Sequence, residues 1–301
     1  MLKHAMRVLR VGVLWLGMVG RALGESEPIT DVYVLAGQSN AEGHNHATTY
    51  TPAPFPDVWR RQTNVLFWPG SNAKAGLKNT WTVLQVGASG INPHAFGPEI
   101  TFGHSLATAQ PQARIAIIKY AVGGTGIARS KDYDDYIAHP QLINFNDHGR
   151  NWHWPEPSQP AGSLYTNLLV NVRDALQALK DQGTRHRLAG FLWMQGEHEA
   201  GISPKMAKDY PVLLAGLIKH LRADLGQPAL PFVIGQVSDK WIFHPVVQAA
   251  QTSVCEQDPY AALVVTRDLP RTTGDDAHYT ANGMVTLGER FAASMRTLTR
   301  P

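Results

Sequence analysis

The sequence predicts an α/β fold in which helices cover both faces of a central parallel sheet. Two patterns point there. Short apolar runs rich in β-branched and aromatic residues recur along the chain, and stretches with apolar residues at helical spacing separate the later ones. The size agrees: 301 residues, 44% hydrophobic and 17% charged, suit one large globular unit that needs no disulfide or metal to hold its core.

The first strand is "VYVL" (32–35), closed by Gly37. Residues 44–95, rich in Pro, Asn, Thr, Gly and Trp, read mostly as loop. "FGPEITFGHSLATAQ" (96–110) reads as a helix with Pro98 in its first turn, and "RIAIIKYAV" (114–122) as a second buried strand running into Gly123 and Gly124. Residues 129–160 read as irregular. Leu164, Leu168, Val172, Ala175, Leu176 and Leu179 then mark one helical face. "LAGFLWM" (188–194) is a strand. Leu213, Leu214, Leu217, Leu221 and Leu225 mark a helix that starts or kinks at Pro211. "PFVIGQV" (231–237) is a strand, "HPVVQAAQTSVC" (244–255) a helix, and "AALVVT" (261–266) a strand. Met284, Leu287, Phe291, Met295 and Leu298 form the closing helix. Trp59, Trp68, Trp81, Trp152 and Trp154 sit in or beside the two irregular segments, either to pack them down or to stack on sugars.

Residues 1–24 have the form of a secretory signal. Lys3, Arg7 and Arg10 precede the short apolar run "VGVLWLGMVG" (11–20), and "ALG" (22–24) is a small-x-small cleavage site. Arg21 is unusual there, and a retained anchor is the alternative. Without this segment the chain, 25–301, carries 23 basic and 24 acidic residues, so neither nucleic acid nor an anionic membrane is an implied partner. The lone Cys255 excludes an internal disulfide and any multi-cysteine metal motif. Oligomeric state is not legible.

Chemistry concentrates at strand ends, where open α/β sheets place their ligands. "GQSN" (37–40) puts a hydroxyl directly after the first strand. Ser39 alone fits a helix cap, a turn residue or a nucleophile. "YAVGGTGIA" (120–128) exposes backbone N–H groups suited to an oxyanion, or is an ordinary glycine turn. "FLWMQGEHEA" (191–200) carries Gln195, an amide donor, and Glu197, which either ties loops together or caps a helix. "TTGDDAHYTANG" (272–283) lets Asp275 hold the His278 ring in one tautomer, with Asp276 as rival. In a parallel sheet these four ends converge on one edge, and together they supply a nucleophile, its base, the base's orienter and an oxyanion site. A weaker alternative is a metal-dependent hydrolase built from His44, His46, His198, Glu197 and Glu199, without an HExxH helix. Another is a carbohydrate-binding protein whose catalytic site has decayed.

The same blocks, in this order, resemble the SGNH hydrolases, and within them the acetyl xylan esterase and sialate O-acetylesterase branch. "GQSN", "KYAVGGTG", "WMQGE" and "DDAHYTANG" match its blocks, and "FGPEITFGHSLA" is similar too; the likeness runs from about Asp31 onward. The resemblance implies a flavodoxin-like three-layer α/β/α sandwich and a secreted or periplasmic esterase removing acetyl groups from glycans, xylan-type or sialic acid, without cofactor or metal. Carried over by position, Ser39 is the nucleophile, His278 the base and Asp275 its partner. Ser39 and Gly124 N–H groups and the Gln195 amide hold the oxyanion, with Gln38, Asn40, Gly123 and Glu197 in support. Ala41 stands where the branch often has Met, and "EHEA" replaces its more usual Glu-Ser-Asp-Ala.

Overall fold

The computed structural model describes residues 28–70, 79–89, 92–135 and 149–299; residues 1–24, where the sequence predicts a secretory signal, lie outside them. In chain order the elements are β1 (Thr30–Gly37), α1 (Ser39–Glu42), β2 (Asn45–His46), α2 (Asp57–Arg60), β3 (Arg61–Pro69), β4 (Thr82–Gln85), β5 (Ala95–Phe96) and α3 (Glu99–Ala109). There follow β6 (Arg114–Ala121), α4 (Ser163–Asp181), β7 (His186–Met194), α5 (Glu197–Ile202) and α6 (Pro204–Asp224). The chain closes with β8 (Phe232–Gly235), α7 (His244–Gln257), β9 (Ala261–Val264) and α8 (Ala281–Leu298).

Seven strands form one sheet in the order β4-β3-β6-β1-β7-β8-β9, with β4 alone antiparallel to its neighbour. β1 lies at the centre between β6 and β7, so its C-terminal turn has a strand end on either side. The central strands are buried on both faces. Val32, Val34 and Ala36 of β1 join a core with α4, α6 and α7, while Tyr33 and Leu35 join a second core with α3 and α8. The two-residue period of a strand divides each run between these cores, which is why the runs are apolar throughout.

The segment 44–95 departs from the loop reading. Its "NVLFW" stretch belongs to β3, which pairs with β6 from Val65 onward, and Thr82–Gln85 adds the antiparallel edge. Pro211 neither starts nor ends a helix, because α6 runs through it from Pro204. Trp68, Trp152 and Trp154 are buried in the core, Trp81 donates its Nε1–H to the Ala175 carbonyl, and Trp59 packs edge-on against Tyr50 and Phe55. These rings hold the irregular segments down.

A charged pair lies inside. Lys119 on β6 meets Glu99 at the start of α3 at 2.8 Å, both 3% exposed, and Glu99 also accepts the Gly97 N–H. No helix among the described residues is long and apolar enough to cross a membrane.

Candidate active site

The turn after β1 is built around Gly37. Its φ is 136°, and a Cβ there would lie 2.0 Å from the Met194 carbonyl oxygen, so the residue must be glycine for β1 to end so close to β7. The Gln38 N–H then donates to the Met194 carbonyl, and the Val122 N–H to the Gly37 carbonyl. These bonds lock the first turn to those after β7 and β6. Ser39 opens α1 and is nearly buried, at 9% exposure.

The loop before α8 folds back on itself. Thr272 N–H donates to the His278 carbonyl, while Asp275 and Asp276 N–H groups donate to the Thr272 carbonyl. The closure puts Asp275 Oδ2 2.5 Å from His278 Nδ1, where the imidazole N–H donates to the carboxylate. Asp276, at φ 46°, is the strained member of the loop, and Asp275 is the one bonded to the ring. Partial burial pushes the Asp275 carboxyl up, but the hydrogen bond and charge of His278 and the Ala277 N–H outweigh it. They hold the group below its ordinary range.

Asn40 joins these two segments. Its Nδ2 donates to the Ala277 carbonyl at 3.0 Å and to Glu197 Oε1 at 2.9 Å, and its Oδ1 accepts the Tyr279 N–H at 3.3 Å. The residue after Ser39 therefore holds both chain neighbours of His278. Glu197, wholly buried at the start of α5, is pushed up to about 7 by burial; its bond from Asn40 opposes that rise and the nearby Glu199 adds to it. Its Oε2 has no hydrogen-bond partner among the described residues.

The glycine turn after β6 is tied from below. Glu199 Oε1 accepts the Ile127 and Ala128 N–H groups at 2.6 and 3.0 Å, and the buried His198 ring donates to the Gly124 backbone. From above, Gly123 N–H donates to Glu42 Oε2 at 3.0 Å. Among the described residues the N–H groups of Ser39 and Gly124 donate to nothing.

Gln195 departs from the sequence expectation. It is fully buried, and its Nε2 faces Glu199 Oε2 at 2.6 Å, the Thr125 carbonyl at 3.1 Å and Gln38 Oε1 at 3.3 Å. Its Oε1 accepts from the Tyr210 hydroxyl. The amide braces three turns from beneath and is no donor into the open space above them, because inner acceptors already engage its N–H groups.

Ser39, His278, Gly123, Gly124, Gln38 and Glu197 line one cleft of about 420 Å³ at the C-terminal edge of the sheet. Sequence reasoning missed several of its walls: Glu42, Arg150 and Trp241. It considered His44 and His198 only as metal ligands. His44 stacks flat on His278, with ring centres 4.8 Å apart, and pairs with Glu42 Oε2 at 3.1 Å. Nothing in the spacing of "EGH" (42–44) marks a second Glu–His pair beside the Asp275–His278 one, because the two meet only in space. His46 bonds Asn92 and His198 bonds the glycine turn, so the three histidines serve separate partners. Among the described residues no three His, Cys, Asp or Glu side chains gather as a metal site. A wider groove of about 1120 Å³ along α6 and α7 contains none of these groups.

One edge of a mostly parallel α/β sheet thus carries a serine, a histidine–aspartate pair and backbone N–H groups that have no acceptor among the described residues. The family model of carbohydrate esterases described as sialic acid-specific acetylesterase matches residues 29–297, and the chain belongs to that family. Membership implies carboxylic ester hydrolase activity. No curated protein matches the chain. Among solved structures it is similar to protein AT4G34215 of Arabidopsis thaliana, with TM-score 0.66, 20% identity, and 91% of this chain and 100% of that one covered. It is also similar to NanS, with TM-score 0.63, 16% identity, and coverage of 91% and 98%. XAC1771, a carbohydrate acetylesterase from Xanthomonas citri, gives TM-score 0.56 at 19% identity, with 89% of this chain covering 56% of that one.

Proposed function

We propose that the protein is an exported serine esterase that removes O-acetyl groups from glycans through an acetyl-enzyme on Ser39. The observation that carries this reading is the Asn40 clamp, which brings the nucleophile turn and the Asp275–His278 pair to one cleft. His278, its Nδ1 held by Asp275, takes the Ser39 proton at Nε2 as Oγ attacks the acetyl carbonyl carbon. The carbonyl electrons collect on oxygen, where the Ser39 and Gly124 N–H groups, which have no acceptor among the described residues, receive the charge. Collapse expels the sugar oxygen, which takes the proton from His278. Water then repeats the cycle, releasing acetate and restoring Ser39. Trp241 and Arg150 on the cleft wall offer a ring face and a guanidinium, and the latter favours a carboxylated sugar such as an acetylated sialic acid over a neutral xylan.

The test is acetate release from acetylated xylan, O-acetylated sialoglycan and acetylated pectin, run beside Ser39→Ala. Release from a glycan that the variant abolishes supports the reading. No release from any, or release that survives the substitution, overturns it. Export predicts that the mature chain begins near Glu25, read by mass spectrometry of the native protein.

A further inference from the structure

We infer that the side-chain amide of Gln38 is the third donor to the oxyanion, in the role that Gln195 does not fill. The inference rests on the esterase reading above and adds a catalytic group to it.

Gln38 Oε1 accepts the His198 backbone N–H at 3.2 Å and the Gln195 amide at 3.3 Å. A backbone N–H can only donate, so the atom facing His198 is the oxygen, and the orientation of the amide is settled by that partner. The Nε2 end therefore points the other way. It has no hydrogen bond within the described residues, yet it is not sealed from solvent like the buried unpaired atoms of the core. Gln38 is only 3% exposed, and the space it borders is the cleft shared with Ser39, Gly124 and His278.

A nearly buried amide whose N–H groups meet no acceptor is costly to leave unmatched. A negative oxygen forming beside Ser39 would be that acceptor. Two donors on Oε1 also draw electron density toward the oxygen, which strengthens the N–H groups as donors. Behind Gln38, Glu199 and Tyr210 hold Gln195 in place, so the donor is fixed before substrate arrives. Gln195 acts through Gln38 and is a positioning residue.

Gln38→Glu keeps an oxygen toward His198 and Gln195 and removes the donor. Gln38→Met removes both and serves if the first variant does not fold; far-UV circular dichroism and melting check each. Both are assayed on 4-nitrophenyl acetate, which has no sugar, and on the preferred acetylated glycan. The expected result is a kcat loss of roughly 100-fold or more on both esters, with KM within about threefold. Affinity for a methylboronic acid, which mimics the tetrahedral adduct, should fall in proportion. Unchanged kcat, a rise in KM alone, or a loss confined to the glycan, which marks a sugar-hydroxyl contact, overturns the inference. A wild-type protein inactive on every ester would instead sink the esterase reading itself.

Discussion

Glu197→Gln tests the electrostatics under the site. The Glu197 carboxyl, ordinarily at 4.5, is pushed up to about 7 in the fold, chiefly because burial penalises its charge. Below 4.5 both folded and unfolded chains hold the proton, and Glu197 brings no penalty of buried charge. Between 4.5 and 7 the unfolded chain releases it while the folded chain keeps it, so stability falls as pH rises. Above 7 both are ionised and the loss is complete. At about 1.4 kcal/mol per pH unit this separation amounts to roughly 3 kcal/mol. Gln at this position still offers an oxygen to Asn40 and carries no charge. Its own packing cost is the same at every pH. The variant should therefore gain roughly 3 kcal/mol relative to wild type between pH 4 and pH 8.5, read from urea unfolding at half-unit steps. Other titrating groups are common to both proteins and cancel. A difference that stays constant across that range would refute the reasoning, and one that reversed sign would mean that the fold prefers the ionised carboxylate.

Ser39→Ala and His278→Ala should each nearly abolish ester turnover, and the double variant should be little worse than either, because the two act as a unit; simple multiplication of the two losses would contradict that. Lys119→Met should destabilise by roughly 3–5 kcal/mol by leaving Glu99 charged and unpaired, and adding Glu99→Gln, which still accepts the Gly97 N–H, should recover most of it in urea melts. Gly37→Ala should lower stability by at least the order of 1–3 kcal/mol from its φ of 136° alone, with the contact on Met194 adding more, and should disable Ser39. An alanine variant with wild-type melting and turnover would show that the turn is not held as described.

The strands that carry the site were legible because each is an apolar run long enough to cross a buried sheet and then runs into Gly or Gln. β1, β6 and β7 show it in "VYVLAG", "RIAIIKYA" and "LAGFLWM". β3 was not, since its pairing with β6 begins only at Val65 and its N-terminal half, "RQTN", has no strand pattern of its own. Pro211 misled for a similar reason: the apolar face of α6 begins well before it, at Met206 and Ala207, and packing of that face outweighs one absent N–H.

By itself the sequence determined the α/β class, the strand ends that hold polar residues, and the local Asp275–His278 pair, since two residues three positions apart in one loop reach each other without help from elsewhere. Only the tertiary structure decided which amide faces the cleft. Gln38 and Gln195 are both glutamines at strand ends, and no pattern along the chain separates them. What separates them is a third segment: Glu199 and Tyr210 draw Gln195 inward, and the His198 N–H holds the oxygen of Gln38. The hydrogen bond between Gln38 and His198 joins residues 160 positions apart and exists only once the sheet has assembled, so its direction is a property of the fold.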